Sequence, residues 1–169
     1  YAAGKAAADM AVESYVNMFD VDAFIVRPFN NYGPRQNYKG LLAGIIPITS
    51  WRIHNNIPPE IHGAGTQSRD FIYVMDTVDA VVKLFEVMPK GESVNISTDN
   101  CYSVKILIEK IVAHYGYTGE ILQKPERSAD VQTHNASNAK VNELISYNLT
   151  PFTEGLALTL DWYKSKFNS

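Results

Sequence analysis

A single cysteine, Cys101, stands among the 169 residues, so no disulfide can close within the chain. No apolar run approaches the ~20 residues that a membrane-spanning helix needs. Nor does any cluster of lysine and arginine give the concentrated positive footprint of a nucleic-acid or membrane-surface binder. With a formal net charge of −3, any anion the chain binds must meet individually placed cations. These absences predict a cytoplasmic domain that partners neither nucleic acid nor membrane. There is also no initiating methionine and no signal-like segment, and the chain goes from Tyr1 straight into helix-forming residues, which predicts a piece of a longer polypeptide. The residues present are 46% hydrophobic and 20% charged, the composition of a globular domain able to bury a core.

Residues 2 to 19 carry Ala7, Met10, Ala11, Ser14, Tyr15 and Met18 at helical spacing and predict a well-packed helix. The apolar run Ala23-Phe24-Ile25-Val26 predicts a strand buried on both faces of a parallel sheet, and Asn30 to Pro34 a loop. Residues 41 to 55 read as a helix with a kink or late start at Pro47, 57 to 61 and 69 to 74 as extended. Asp76 is placed as the N-cap of a helix with Val78, Val81, Val82, Phe85 and Val87 inward. A strand near 94 to 96 follows, then a helix capped by Ser103, lined by Ile106, Leu107, Ile111, Val112 and Tyr115 and closed by Gly116. A short strand near 120 to 122 and helices near 137 to 145 and 153 to 167 complete the pattern. Strands separated by helices predict an α/β fold, with too few strands for a complete doubly wound sheet.

Tyr1 and Lys5 lie four apart on the first helix and project from one face. A free tyrosine titrates near ~10, so a phenolate base at neutral pH needs on the order of 4 kcal/mol from a nearby cation. Lys5 and a bound nicotinamide are candidates for that cation. A solvated tyrosine–lysine pair is the plain alternative. Arg69 and Arg127 offer the planar fork that suits phosphate oxygens, against the alternative of surface pairs with Asp70 or Asp130. His54, His114 and His134 show no metal-site spacing and are assigned no role.

The order of motifs adds to these readings. Tyr1-x-x-x-Lys5 is followed by Arg27-Pro28-Phe29-Asn30-Asn31-Tyr32-Gly33-Pro34-Arg35-Gln36, by Gly63-Ala64-Gly65-Thr66-Gln67-Ser68-Arg69-Asp70-Phe71, by Asn95-Ile96-Ser97 and by Arg127-Ser128-Ala129-Asp130. In this the chain resembles the extended short-chain dehydrogenase/reductase family, the NAD-dependent nucleotide-sugar epimerases and dehydratases, over essentially its whole length. The resemblance implies the C-terminal part of a Rossmann-like doubly wound sheet plus a small α/β substrate-binding subdomain. Residues 1–35 and 70–100 would belong to the NAD-binding domain, 36–69 and 101–169 to the nucleotide-sugar-binding subdomain. It implies Tyr1 as catalytic base and Lys5 as its partner, both touching NAD, with Pro28 and Phe29 near the nicotinamide. Asn30, Asn31, Arg69 and Arg127 would meet the diphosphate, His62 would stack on the base, and Asp130 would lie near the ribose or base. A homodimer is expected through helices near the tyrosine.

The family's Gly-rich dinucleotide turn is not found in these residues, since Gly63 and Gly65 precede a strand-like run. The family's catalytic serine or threonine and the dehydratase carboxylates also precede the tyrosine. The expectation is therefore a fragment of a 4-epimerase or 4,6-dehydratase, inactive alone because most of its NAD is bound elsewhere, with a slight lean to dehydratases from Asn30–Pro34 and Trp162-Tyr163. The alternative is a non-catalytic nucleotide-sugar-binding or interaction module.

Overall fold

The computed structural model describes residues 2–40, 42–127 and 130–168. Tyr1, Ser128 and Ala129 lie outside them, so the expected catalytic tyrosine has no described position. Helix α1 (Ala2–Phe19) leads to strand β1 (Ile25–Pro28), which continues past Phe29 as β2 (Asn30–Tyr32). The two halves of this extended path take different partners. β1 runs parallel to β6 (Ser93–Ile96), pairing Ile25 with Ser93 and Pro28 with Ile96. β2 runs parallel to β5 (Phe71–Tyr73), pairing Asn30 with Phe71.

Between these parallel strands lie the crossovers that such pairing requires. Helix α2 (Ile45–His54), β3 (Glu60–His62) and β4 (Ser68–Arg69) precede β5, and helix α3 (Val74–Val87) carries the chain to β6. β7 (Tyr102–Ser103) pairs antiparallel with β4 and leads into helix α4 (Val104–Tyr115). β8 (Leu122–Lys124) runs parallel to β3, and β9 (Thr133–His134) parallel to β4. Helices α5 (Ala139–Leu144) and α6 (Phe152–Asn168) finish the fold.

One core packs α2, α4 and α6 on the β2–β5 pair through Ile46, Ile53, Leu107, Ile111, Leu156 and Leu160. A second joins α3 and α5 to β5 and β6 through Ile72, Ala80, Leu84, Val94 and Val141. Helix α4 ends as its residues dictate: the Ser103 hydroxyl accepts from the Ile106 N–H, and Gly116 takes the left-handed φ of 62° that closes the last turn.

Several expectations are corrected. α1 forms over the predicted residues but is not well packed, because Val16 is its one buried residue and Met10, Tyr15 and Met18 face solvent. Its alanines make it helical by backbone preference without a packed face. In β1 only Ile25 is buried, not both faces of the strand. The loop expected at 30–34 begins as strand β2, so the asparagines pair with Phe71 and Ile72 rather than turning. Of the two readings at Pro47 the late start is the one seen: α2 begins at Ile45 rather than 41, and Pro47 lies in its first turn, where its missing N–H would have no helical partner.

The buried side of α3 is Asp76, Thr77, Ala80 and Leu84, whereas Val78, Val82, Phe85 and Val87 are exposed. Asp76 is in the first turn rather than at the N-cap, which is Tyr73. Its carboxylate accepts from Thr150, 2.8 Å from the backbone N–H and 2.6 Å from the hydroxyl, which lets a charge point inward. Ile106, expected inward on α4, is also exposed.

Candidate functional site

A cavity of about 610 Å3 opens where β2, β3, β4 and the start of α2 converge with the segment around residue 127. That volume falls in the range of small-molecule ligand sites. All six residues expected to touch substrate line it: Asn30, Asn31, His62, Arg69, Arg127 and Asp130. They come from four separate stretches of sequence, carried by β2, β3, β4 and the segment at 127–130.

Both asparagines are held by internal bonds. Asn30 Nδ2 donates to the Asp70 carbonyl at 2.8 Å and lies 3.4 Å from His134 Nδ1. Asn31 Oδ1 accepts from the Thr77 hydroxyl at 2.5 Å, and its carbonyl accepts from Gln36 Nε2 at 3.0 Å. These bonds fix the β2 edge of the cavity.

The three arginines of the cavity differ in how their charge is met. Arg52 Nη2 pairs with Glu60 at 2.8 Å, and its Nε donates to the Pro58 carbonyl at 2.7 Å. Arg69 pairs with Asp130 at 3.3 Å rather than with Asp70, and its Nη1 donates to the carbonyls of Ser68 and Val131. Asp130 therefore acts first as the partner of Arg69. Arg127 has no carboxylate partner among the described residues, and its Nη2 lies 3.2 Å from His62 Nε2. The strongest uncompensated positive charge in the wall is thus Arg127.

Neighbouring Tyr32 remains a neutral phenol, because burial, and after it the Asp76 carboxylate, pushes its pKa far above the ordinary range. Its hydroxyl donates to the Phe152 carbonyl at 3.4 Å.

Of the residues expected to meet the cofactor, Lys5, Pro28 and Phe29 are not in the wall of this cavity, and Tyr1 lies outside the described residues. Pro28 is exposed at the carboxyl end of β1, and the Phe29 ring stacks at 4.8 Å on His134, the histidine to which the sequence assigned no role. Lys5 stands on the solvent-facing side of α1. Sequence reasoning missed several polar side chains of the wall, Gln36, Arg52 and Glu60 among them. Gln36 Oε1 is buried without a hydrogen-bond partner among the described residues, and Gln36 follows directly on the Asn-Asn-Tyr-Gly-Pro-Arg string that pointed to it. Arg52 and Glu60 face each other across a helix-to-strand turn, and nothing in their spacing distinguishes them from a surface pair. Among the described residues no cluster of side chains could hold a metal ion, and no helix is long and apolar enough to cross a membrane.

The parallel strands and intervening helices define an α/β protein, with a concave site of small-molecule size that carries three arginines in its wall. The match to a family model decides which kind. Residues 1–97 match the model for the NAD dependent epimerase/dehydratase family, and the chain belongs to that family. It is 30% identical over 167 residues to UDP-glucose 4-epimerase of Mycolicibacterium smegmatis, covering 98% of this chain and 53% of that protein. It is 27% identical to human dTDP-D-glucose 4,6-dehydratase, over 100% of this chain and 49% of the relative. Among solved structures it superposes with a TM-score of 0.92 on UDP-glucose 4-epimerase of Thermotoga maritima with UDP-glucose, at 29% identity over 98% of this chain and 53% of that one. The fold is Rossmann-like α/β, and the chain spans about half the length of these relatives.

Proposed function

We propose that this chain carries the nucleotide-sugar site and the Tyr1–Lys5 pair of an NAD-dependent nucleotide-sugar 4-epimerase or 4,6-dehydratase. The observation that supports this most is the gathering of six separately expected residues around one cavity of about 610 Å3. On this reading residues 36–69 and 101–169 form the nucleotide-sugar-binding subdomain, and 1–35 and 70–100 belong to the NAD-binding domain.

Arg127 meets the diphosphate with its full charge, while Arg69, braced by Asp130 and two carbonyls, offers its remaining N–H groups. Tyr1 takes the proton of the sugar C4 hydroxyl, with the Lys5 ammonium, four residues on in the sequence, favouring the phenolate. NAD, when bound, supplies the hydride acceptor for C4. The residues that would hold it are Tyr1, Lys5, Pro28 and Phe29. Pro28 and Phe29 fit that use because they stand at the carboxyl end of parallel strand β1, the place where open α/β sheets receive ligands. The exposed Met10, Tyr15 and Met18 of α1 are the homodimer contact on this reading.

The test is calorimetric titration with UDP-glucose and dTDP-glucose. Arg69→Gln, with its fold checked by circular dichroism, should weaken binding by about 10- to 100-fold, the loss of one charge-assisted contact. Unchanged affinity in that variant, or no binding by the folded parent, would remove the site. Tyr1→Phe, in the protein that carries this chain and turns over, should abolish turnover while leaving sugar-nucleotide affinity largely intact. A non-catalytic binding module would instead show binding but no effect at Tyr1.

A further inference from the structure

We propose that His62 is a positioning residue that holds Arg127 in the cavity wall through a neutral ring of fixed tautomer, rather than a ring that stacks on the base. Its two nitrogens face groups of opposite demand. Arg127 Nη2 is 3.2 Å from Nε2, and a guanidinium has only N–H donors, so Nε2 must present its lone pair. The Pro125 carbonyl is 3.3 Å from Nδ1 and can only accept, so Nδ1 must carry the proton. Both neighbours require the same neutral tautomer.

The nearest carboxylate does not compete for the ring: Glu60 Oε2 lies 4.0 Å from Nε2, beyond hydrogen-bond reach, while the other oxygen, Oε1, meets Arg52 at 2.8 Å and Lys124 at 3.7 Å. Gln67 Nε2 donates to the His62 carbonyl at 3.1 Å and lies 3.5 Å from Asp130, tying the backbone that carries the ring to the segment that carries Arg127. The chemical consequence is specific. A carboxylate would orient Arg127 and also cancel its charge, as Asp130 does for Arg69 and Glu60 for Arg52. A neutral imidazole orients the guanidinium and leaves the charge whole for a diphosphate. That last step rests on the proposed nucleotide-sugar site, whereas the tautomer and the pairing do not.

Two measurements test it. Long-range 15N–1H correlation spectra of the histidine-labelled chain near neutral pH, without ligand, should show His62 protonated at Nδ1 alone, with Nε2 shifting on Arg127→Gln. A proton on Nε2, or an Nε2 signal unmoved by that substitution, overturns the proposal whether or not nucleotide binds. Titrations with UDP and uridine then read the function. His62→Phe keeps a flat ring and loses the acceptor, so UDP should bind about tenfold more weakly with uridine unchanged, and His62→Gln, with an amide acceptor, should recover most of the loss. The double variant His62→Phe/Arg127→Gln should be no weaker than Arg127→Gln alone. If His62→Phe retains UDP affinity while His62→Gln loses both ligands, the ring stacks on the base and the proposal fails. If the parent binds no UDP but shows the expected tautomer, the diphosphate reading fails and the pairing stands.

Discussion

Helices α1 and α6 have 18 and 17 residues, yet α1 buries one residue and α6 buries six. The first is helical because alanine-rich backbone favours it, the second because tertiary contacts demand it. α6 is locked at both ends of its buried face. Tyr163 donates to the Gln36 carbonyl at 2.5 Å, and Phe152 stacks on Tyr102 with ring centroids 4.0 Å apart. At Gly155 the helix approaches the Tyr32 ring so closely that a Cβ would collide with its hydroxyl. α1 is held instead by surface tethers, an Arg27–Asp9 pair at 2.7 Å and a Lys90–Asp20 pair at its end. Helices of nearly equal length thus differ in what they hold together: α6 secures the wall behind the cavity, while α1 is an appended rod.

The largest expected effect breaks the contrast on the α6 side. Leu160→Ala removes a side chain that is 1% exposed and should cost about 2–5 kcal/mol in urea unfolding. A loss below ~1 kcal/mol would put α6 in the same class as α1. Next, Ala7→Gly on the solvent side of α1 should lower the protection of α1 amides against hydrogen exchange by roughly 1 kcal/mol while the global unfolding midpoint barely moves. A global shift of that size would show that α1 is part of the cooperative core.

The smallest effect concerns tethers of the kind that hold α1. Lys140 donates to Glu92 at 2.7 Å, and this hydrogen bond, then the ammonium charge, lowers the Glu92 pKa. A carboxylate with a depressed folded pKa stabilises the fold above the ordinary glutamate range and loses that contribution as pH falls through the lowered value. Lys140→Gln should therefore flatten the acid limb of stability against pH slightly, and added salt should erase the difference, because the pair is exposed to solvent.

The same contrast explains what the sequence disclosed. Caps and turns were legible because they are local: Ser103 and Gly116 act within a few residues of themselves. The cavity residues were legible because ordered motifs marked them, although their meeting depends on contacts across the whole chain. The inward face of α3 was misread because periodicity gives the spacing of a face but not its direction. Val78, Val82 and Phe85 make the more apolar stripe, whereas the fold buries Asp76 and Thr77 by giving them Thr150 and Asn31 as partners. Those partners are 74 and 46 residues away, where no window can see them. The exposure of α1 was hidden for the converse reason, since alanine suits a packed interface and a solvated rod equally well.

Asp70, wholly buried next to Arg69, accepts from the backbone N–H groups of Thr98 and Asp99 and from the Thr98 hydroxyl, while its own backbone bonds to Asn30 and His134. Alternation along the extended path from β4 to β5 sends the Arg69 side chain into the cavity wall and the Asp70 side chain into the interior. Anchoring position 70 therefore immobilises the backbone that carries Arg69 before any ligand arrives. Ordering a long side chain on binding ordinarily costs about 0.5–1.5 kcal/mol of conformational entropy. Here folding has already met much of that cost, so an anion entering the cavity encounters a guanidinium that has little freedom left to lose.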